Sequence, residues 1–188
     1  MTVKKLAFLF LLTSCLALCG KSAISQTFVA TDGYVAFIST APLLEFKGTS
    51  NNLAGLINLE TGEVDFYVDL ASLDTGNRRR DRDMRQIYLE TDKYPFADFK
   101  GRLTSDFDPG SEDEQPATVE GDFTMREITR KMSVSGTIQV TDEGVRVRAG
   151  WEILLKDFDI DRPSVLFYEL SDVQTINIDI LLRPHDEN

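Results

Sequence analysis

Three observations predict an all-β fold, an antiparallel up-and-down barrel of about eight strands. Apolar and polar side chains alternate along most of the chain from Gly33 onward, turn residues recur at short intervals, and helical periodicity occurs only once, around residues 78–90. Closing the sheet on itself removes exposed edges, and about eight strands leave an interior that side chains can fill or that can hold one small ligand. A sandwich is the alternative architecture, which alternation alone does not distinguish. At 188 residues, 42% hydrophobic and 27% charged, the chain fits one domain with its own core.

Val35 and Phe37 alternate with Ala36 and Ile38 in the first strand, and residues 43–48 form a second short one. Asn51-Asn52 and Thr61-Gly62 supply turns, so Leu53 to Leu59 and Glu63 to Leu70 read as consecutive antiparallel strands. In the latter, Val64, Phe66, Val68 and Leu70 share a face. The segment Arg78 to Glu90 places Met84, Ile87 and Tyr88 at helical spacings, a stripe expected to pack on the barrel, while Asp81 is spaced to pair with Arg78 or Arg85. Phe96 to Thr104 resumes a strand, with Phe99, Gly101 and Leu103 on one side. The acidic stretch Ser105 to Pro116 is a solvated connection, and Val119, Gly121 and Phe123 alternate beyond it.

Met132, Val134, Gly136, Ile138 and Val140 share the face of a long strand, and Asp142-Glu143-Gly144 reverses it. Val145, Val147, Ala149, Trp151, Ile153 and Leu155 line the return. A final strand from Val173 to Leu182 sets Ile176, Ile178, Ile180 and Leu182 opposite Thr175, Asn177 and Asp179. Glycines inside strands, Gly101, Gly121, Gly136 and Gly150, allow either local coiling of the wall or close approach of a ligand.

Residues 1–25 have the layout of a secretory signal: Lys4 and Lys5, the apolar run Leu6 to Leu12, then Ala23-Ile24-Ser25 before a cleavage point at Gln26. The expected domain is therefore 26–188, exported to a periplasmic or extracellular location. Leu12-Thr13-Ser14-Cys15 is the competing signal, similar to a lipobox that would leave a lipidated Cys15 at a membrane surface. Cleavage at Gln26 would remove Cys15 and Cys19, leaving no disulfide or thiol chemistry. It would also remove Lys4, Lys5 and Lys21 with no acid, taking the net charge from −11 to −14. Such a charge argues against nucleic acid as a partner.

Chemistry is sparsely signalled. His185 is the one histidine and sits in the polar tail, against a histidine triad or a zinc cluster. Asp157, Asp159 and Asp161, and Asp106, Asp108 and Glu112, match no complete calcium loop. No catalytic residue, cofactor or metal is expected. The Arg78-Arg79-Arg80-Asp81-Arg82-Asp83 run is either a solvated helix face or a lid whose arginines meet an anionic head.

Three stretches carry a resemblance. Ser72-Leu73-Asp74-Thr75-Gly76-Asn77, followed by Arg80-Asp81, Met84, Tyr94-Pro95 and Phe99, is similar to the central signature of the YceI-like family of secreted lipid-binding proteins. Val119 to Arg130 resembles the family's G-x-L-T-x-x-G-x-T-[RK] pattern, with Glu127 where Gly is common, and Leu155 to Ile160 resembles its Asp-aromatic-x-Ile segment. A His-Ser opening of the family is replaced by Y-V-A-F-I-S at Tyr34 to Ser39.

The resemblance implies a lipocalin-like barrel whose apolar lumen takes up an isoprenoid or similar long-chain lipid, with possible peripheral contact to a membrane. Candidate ligand-binding residues are then the large apolar ones on consistent faces: Phe66, Val68, Phe99, Phe123, Val134, Ile138, Trp151, Ile153, Ile176 and Ile178. The competing reading is a filled barrel acting through its outer surface on an envelope protein or polysaccharide; an enzyme ranks third.

Overall fold

A computed structural model describes residues 27–42, 44–165 and 168–185. The expected signal at residues 1–25, its expected cleavage point before Gln26, both cysteines and Leu43 lie outside the described residues. The described residues form ten strands: β1 (Thr27–Ala41), β2 (Leu44–Asn58), β3 (Glu63–Asp69), β4 (Phe96–Leu103), β5 (Gln115–Met125), β6 (Ile128–Thr141), β7 (Gly144–Leu154), β8 (Ser164–Val165), β9 (Tyr168–Glu169) and β10 (Val173–Pro184). Eight of them close into an antiparallel barrel in the order β1-β10-β7-β6-β5-β4-β3-β2, while β8 and β9 form a separate small hairpin. Apart from β10, which closes the ring by pairing with both β7 and β1, each barrel strand pairs with its neighbours in sequence. Closure rules out the sandwich.

The first two strands are longer than their alternation suggests. Residues 43–48 and 53–59 read as two strands split by an Asn51-Asn52 turn, yet β2 is continuous through both. The Asn pair is absorbed where the register with β1 slips between Gly33↔Leu53 and Val35↔Ser50, and Ser50 Oγ accepts from Asn52 N at 3.0 Å within this bulge. A compensating slip between Ala30 and Gly33 lets β1 begin at Thr27, ahead of the predicted start. Pro116 falls inside β5, beyond the last β4 partner, so its missing N–H costs no ladder bond.

The in-strand glycines answer to the wall. Gly101 and Gly121 face each other across β4 and β5; a Cβ on Gly121 would lie 2.4 Å from the Lys100 carbonyl oxygen, and one on Gly101 would lie 2.6 Å from that of Glu120. The neighbouring backbone occupies the space, so local coiling is the reading that holds at this pair.

α1 (Arg78–Asp83) runs into a wider π turn over Met84–Tyr88 between β3 and β4. The end of the barrel that it occupies, where β1, β3, β5 and β7 finish, is the upper end. At the lower end Ile57, Ile138, Val145, Ile180 and Leu182 are at most 2% exposed and plug the interior.

Candidate ligand-binding site

Above this plug the barrel is hollow. A cavity of about 550 Å³ runs upward from Val64, Val119 and Val147 to a mouth beneath α1, and every barrel strand contributes to its wall. That volume is within the roughly 300–1,000 Å³ usual for small-molecule sites. Its wall is mainly aliphatic and aromatic because inward positions alternate with solvent-facing ones on each strand, with polar side chains such as Asp98, Gln174 and the α1 arginines also lining it.

Nine of the ten candidate residues line it: Phe66, Val68, Phe99, Phe123, Val134, Trp151, Ile153, Ile176 and Ile178. Ile138 does not. It shares the β6 face with Val134 but lies four residues lower, 1% exposed within the plug. Phe123 makes edge contacts with Trp151, ring centres 6.2 Å apart, and with Phe158 at 5.5 Å, which stiffens the wall near the mouth.

Alternation missed other lining residues. Phe37 and Ser39 continue the inward phase of Val35 and were open to the same argument, as was Gln174 ahead of Ile176. Ile160, Pro163 and Leu170 reach the cavity from the irregular segment between β7 and β10, where no strand period marks them.

The cover is pinned. Thr49 and Asp74 exchange two backbone hydrogen bonds at 2.9 Å each, fastening the chain before α1 to β2. Asn77 caps α1 by accepting from Arg79 N and Arg80 N. Asp81 is buried and pairs with neither Arg78 nor Arg85 as an ion-pair partner; its carboxylate accepts from Thr75 N at 2.9 Å and Thr75 Oγ1 at 2.6 Å. Burial pushes this carboxyl upward, but the two Thr75 hydrogen bonds and the nearby Arg85 charge outweigh it and hold Asp81 below its ordinary range.

Met84 is buried, whereas Ile87, expected on the same stripe, is 61% exposed. The π turn, closed by Leu89 N to Met84 O at 2.8 Å, widens the helix and rotates Ile87 off that face. Arg79 and Arg80 do line the mouth, and Arg78 does not. Arg80 donates from Nε to Thr75 Oγ1 at 2.9 Å and lies over the Phe46 ring at 4.1 Å, while Arg79 leans on Asp83 at 3.8 Å. Among the described residues no three His, Cys, Asp or Glu side chains are gathered as a metal site.

The match to the YceI-like domain model extends over residues 26–182. The chain belongs to the YceI-like family. Solved structures share the family's barrel at low identity. A polyisoprenoid binding domain from Saccharophagus degradans, implicated in plant cell wall breakdown, superposes with a TM-score of 0.71 at 16% identity, covering 85% of this chain and 99% of that one. BcnA of Burkholderia cenocepacia gives 0.66 at 15% identity, over 78% and 94% of the two chains. The Campylobacter jejuni YceI protein gives 0.55 at 16% identity, over 100% and 92%. A comparison with curated proteins finds no match.

Proposed function

We propose that this protein is an exported, non-catalytic lipid-binding protein that holds the tail of one isoprenoid or similar long-chain amphiphile in its barrel. The observation that carries the reading is the apolar cavity, plugged below and open under α1. A structural neighbour described as polyisoprenoid-binding supports it. Each methylene moved from water into such a wall contributes roughly 0.8 kcal/mol. A tail of about a dozen carbons therefore gives on the order of 10 kcal/mol, enough to offset much of the roughly 4–15 kcal/mol cost of association.

Export rests on the signal at residues 1–25, and the family match beginning at residue 26 is consistent with cleavage there. Ile87, Tyr67 and Phe96, exposed around the α1 end, supply the surface with which the mouth would meet a bilayer.

Native mass spectrometry of protein purified from its own envelope tests the proposal. A bound lipid mass is expected. A consistently ligand-free protein that takes up neither isoprenoid quinones nor fatty acids would remove the carrier reading. The intact mass also distinguishes cleavage before Gln26 from a lipidated Cys15.

A further inference from the structure

Among the described residues the large apolar side chains that stand exposed are Tyr67, Ile87 and Phe96, and all three lie at the end of the barrel that carries the mouth. Tyr67 and Phe96, near the tops of β3 and β4, meet edge to face with ring centres 5.7 Å apart. Ile87 is turned outward by the π segment that follows α1. Exposed apolar residues scattered singly are ordinary, but three gathered at one end mark a contact surface.

Charge is unevenly placed around that end. The chain carries a net charge of −11, yet along residues 73–96 the exposed ions are Arg78, Arg79, Arg82 and Lys93 against Asp74 and Asp92. The less exposed acids of this stretch are committed, Asp81 to Thr75, Asp83 between Arg79 and Arg82, and Glu90 to Arg126. Halfway round the ring, between β7 and β10, the rim is acidic instead. Asp159 and Asp161 are exposed there, whereas Lys156 pairs with Asp172 and Arg162 with Glu169. The lower end is acidic as well, with Asp106, Asp108, Glu112 and Asp113 before β5 and Asp142 and Glu143 before β7.

An anionic bilayer answers both properties of the insertion side. Apolar and aromatic tips enter the head-group boundary, while arginine and lysine side chains beside them reach the phosphates. We propose that Arg78, Arg79, Arg82, Ile87, Phe96 and Tyr67 form an outer face that docks the barrel on an anionic membrane surface, tilted so that the acidic β7–β10 side of the rim stays away from it. The face deepens the lumen reading above and rests on it for its purpose, the passage of a lipid between bilayer and mouth.

Sedimentation with vesicles of phosphatidylcholine, alone or in equal parts with phosphatidylglycerol, tests the proposal on residues 26–188, which contain the complete barrel. The wild type is expected to bind the anionic vesicles about tenfold or more tightly than the neutral ones, and to lose that preference as salt is raised. Replacing Arg78, Arg79 and Arg82 together with Gln should lower affinity for the anionic vesicles about tenfold. Lys100→Gln, Arg102→Gln and Arg183→Gln combined remove equal charge elsewhere on the surface and should lower it less than about twofold. Ile87→Ser with Phe96→Ser should weaken binding about tenfold at unchanged charge. An unchanged Tm certifies that each variant is folded.

Equal affinity for the two vesicle types, or equal losses in the arginine variant and its charge-matched control, would overturn the docking face. A wild-type dimer that Ile87→Ser with Phe96→Ser dissolves, with no vesicle binding, would also overturn it and give the face to a second copy of the chain. Uptake of an apolar dye without vesicle binding would remove this proposal and leave the lumen reading. Vesicle binding with the expected selectivity and no dye uptake would do the reverse.

Discussion

Arg126 and Glu127, which reverse the chain between β5 and β6, both adopt positive φ, 51° and 62°. A two-residue hairpin turn of this geometry favours Asn-Gly, because a Cβ in the left-handed region costs about 1–2 kcal/mol. The Arg126 side chain, 14% exposed, helps retain the conformation by donating to Glu90 Oε1 at 2.5 Å and to the Asp159 carbonyl, tying three segments of the upper rim together. Glu127→Gly is expected to raise the unfolding free energy by about 1 kcal/mol, measured by chemical denaturation; a loss of stability would contradict this account of the turn.

Asp179 receives two hydrogen bonds from Arg146 at 2.8 Å and one from Arg148 at 3.2 Å, which hold its carboxyl below the ordinary range. A carboxylate with a depressed native pKa adds stability that is fully present above its unfolded pKa and is lost as pH falls through the native value. Asp179→Asn should thus cost about 1 kcal/mol at neutral pH, discounted for solvent exposure, and converge with the wild type in acid. Parallel curves across that range would rule the linkage out.

Among the elements, the helical insertion and the β4–β5 pair show how local chemistry shapes the container. Asp81→Ala leaves the Thr75 N–H and hydroxyl without their acceptor, at a cost of about 1–3 kcal/mol. Because α1 covers the mouth, this variant should also release an apolar dye from the lumen faster than the wild type does in stopped-flow exchange. Equal release rates would mean that α1 is not the gate. Gly121→Ala forces a Cβ against the Lys100 carbonyl and should destabilise by about 1–3 kcal/mol, read as a lower denaturation midpoint.

For the whole molecule, the decisive feature is a barrel packed at one end and hollow at the other. Filling the cavity couples binding to stability: a lipid at a hundred times its Kd adds about 2.7 kcal/mol. Thermal unfolding of delipidated protein with and without an isoprenoid quinone should therefore show a clear rise in Tm. No rise at saturating lipid would favour a role for the outer surface. The asymmetry also gives the molecule an orientation, since the exposed Tyr67, Phe96 and Ile87 share the end that carries the mouth.

By itself the sequence determined the strand period, the apolar face of β3 to β7 and β10, the position of the helical insertion and the family signature, because each follows from local spacing and turn chemistry. Only the tertiary structure decided depth along the barrel axis. Val134 and Ile138 are indistinguishable by alternation, yet one lines the cavity and the other sits in the plug. Register and closure set that difference, and they depend on pairings between residues far apart in the chain: β1 meets β10, bringing Ser39 opposite Gln174. Pairing with its sequence neighbour β1 merged two predicted strands into β2, overriding the turn preference of Asn51-Asn52.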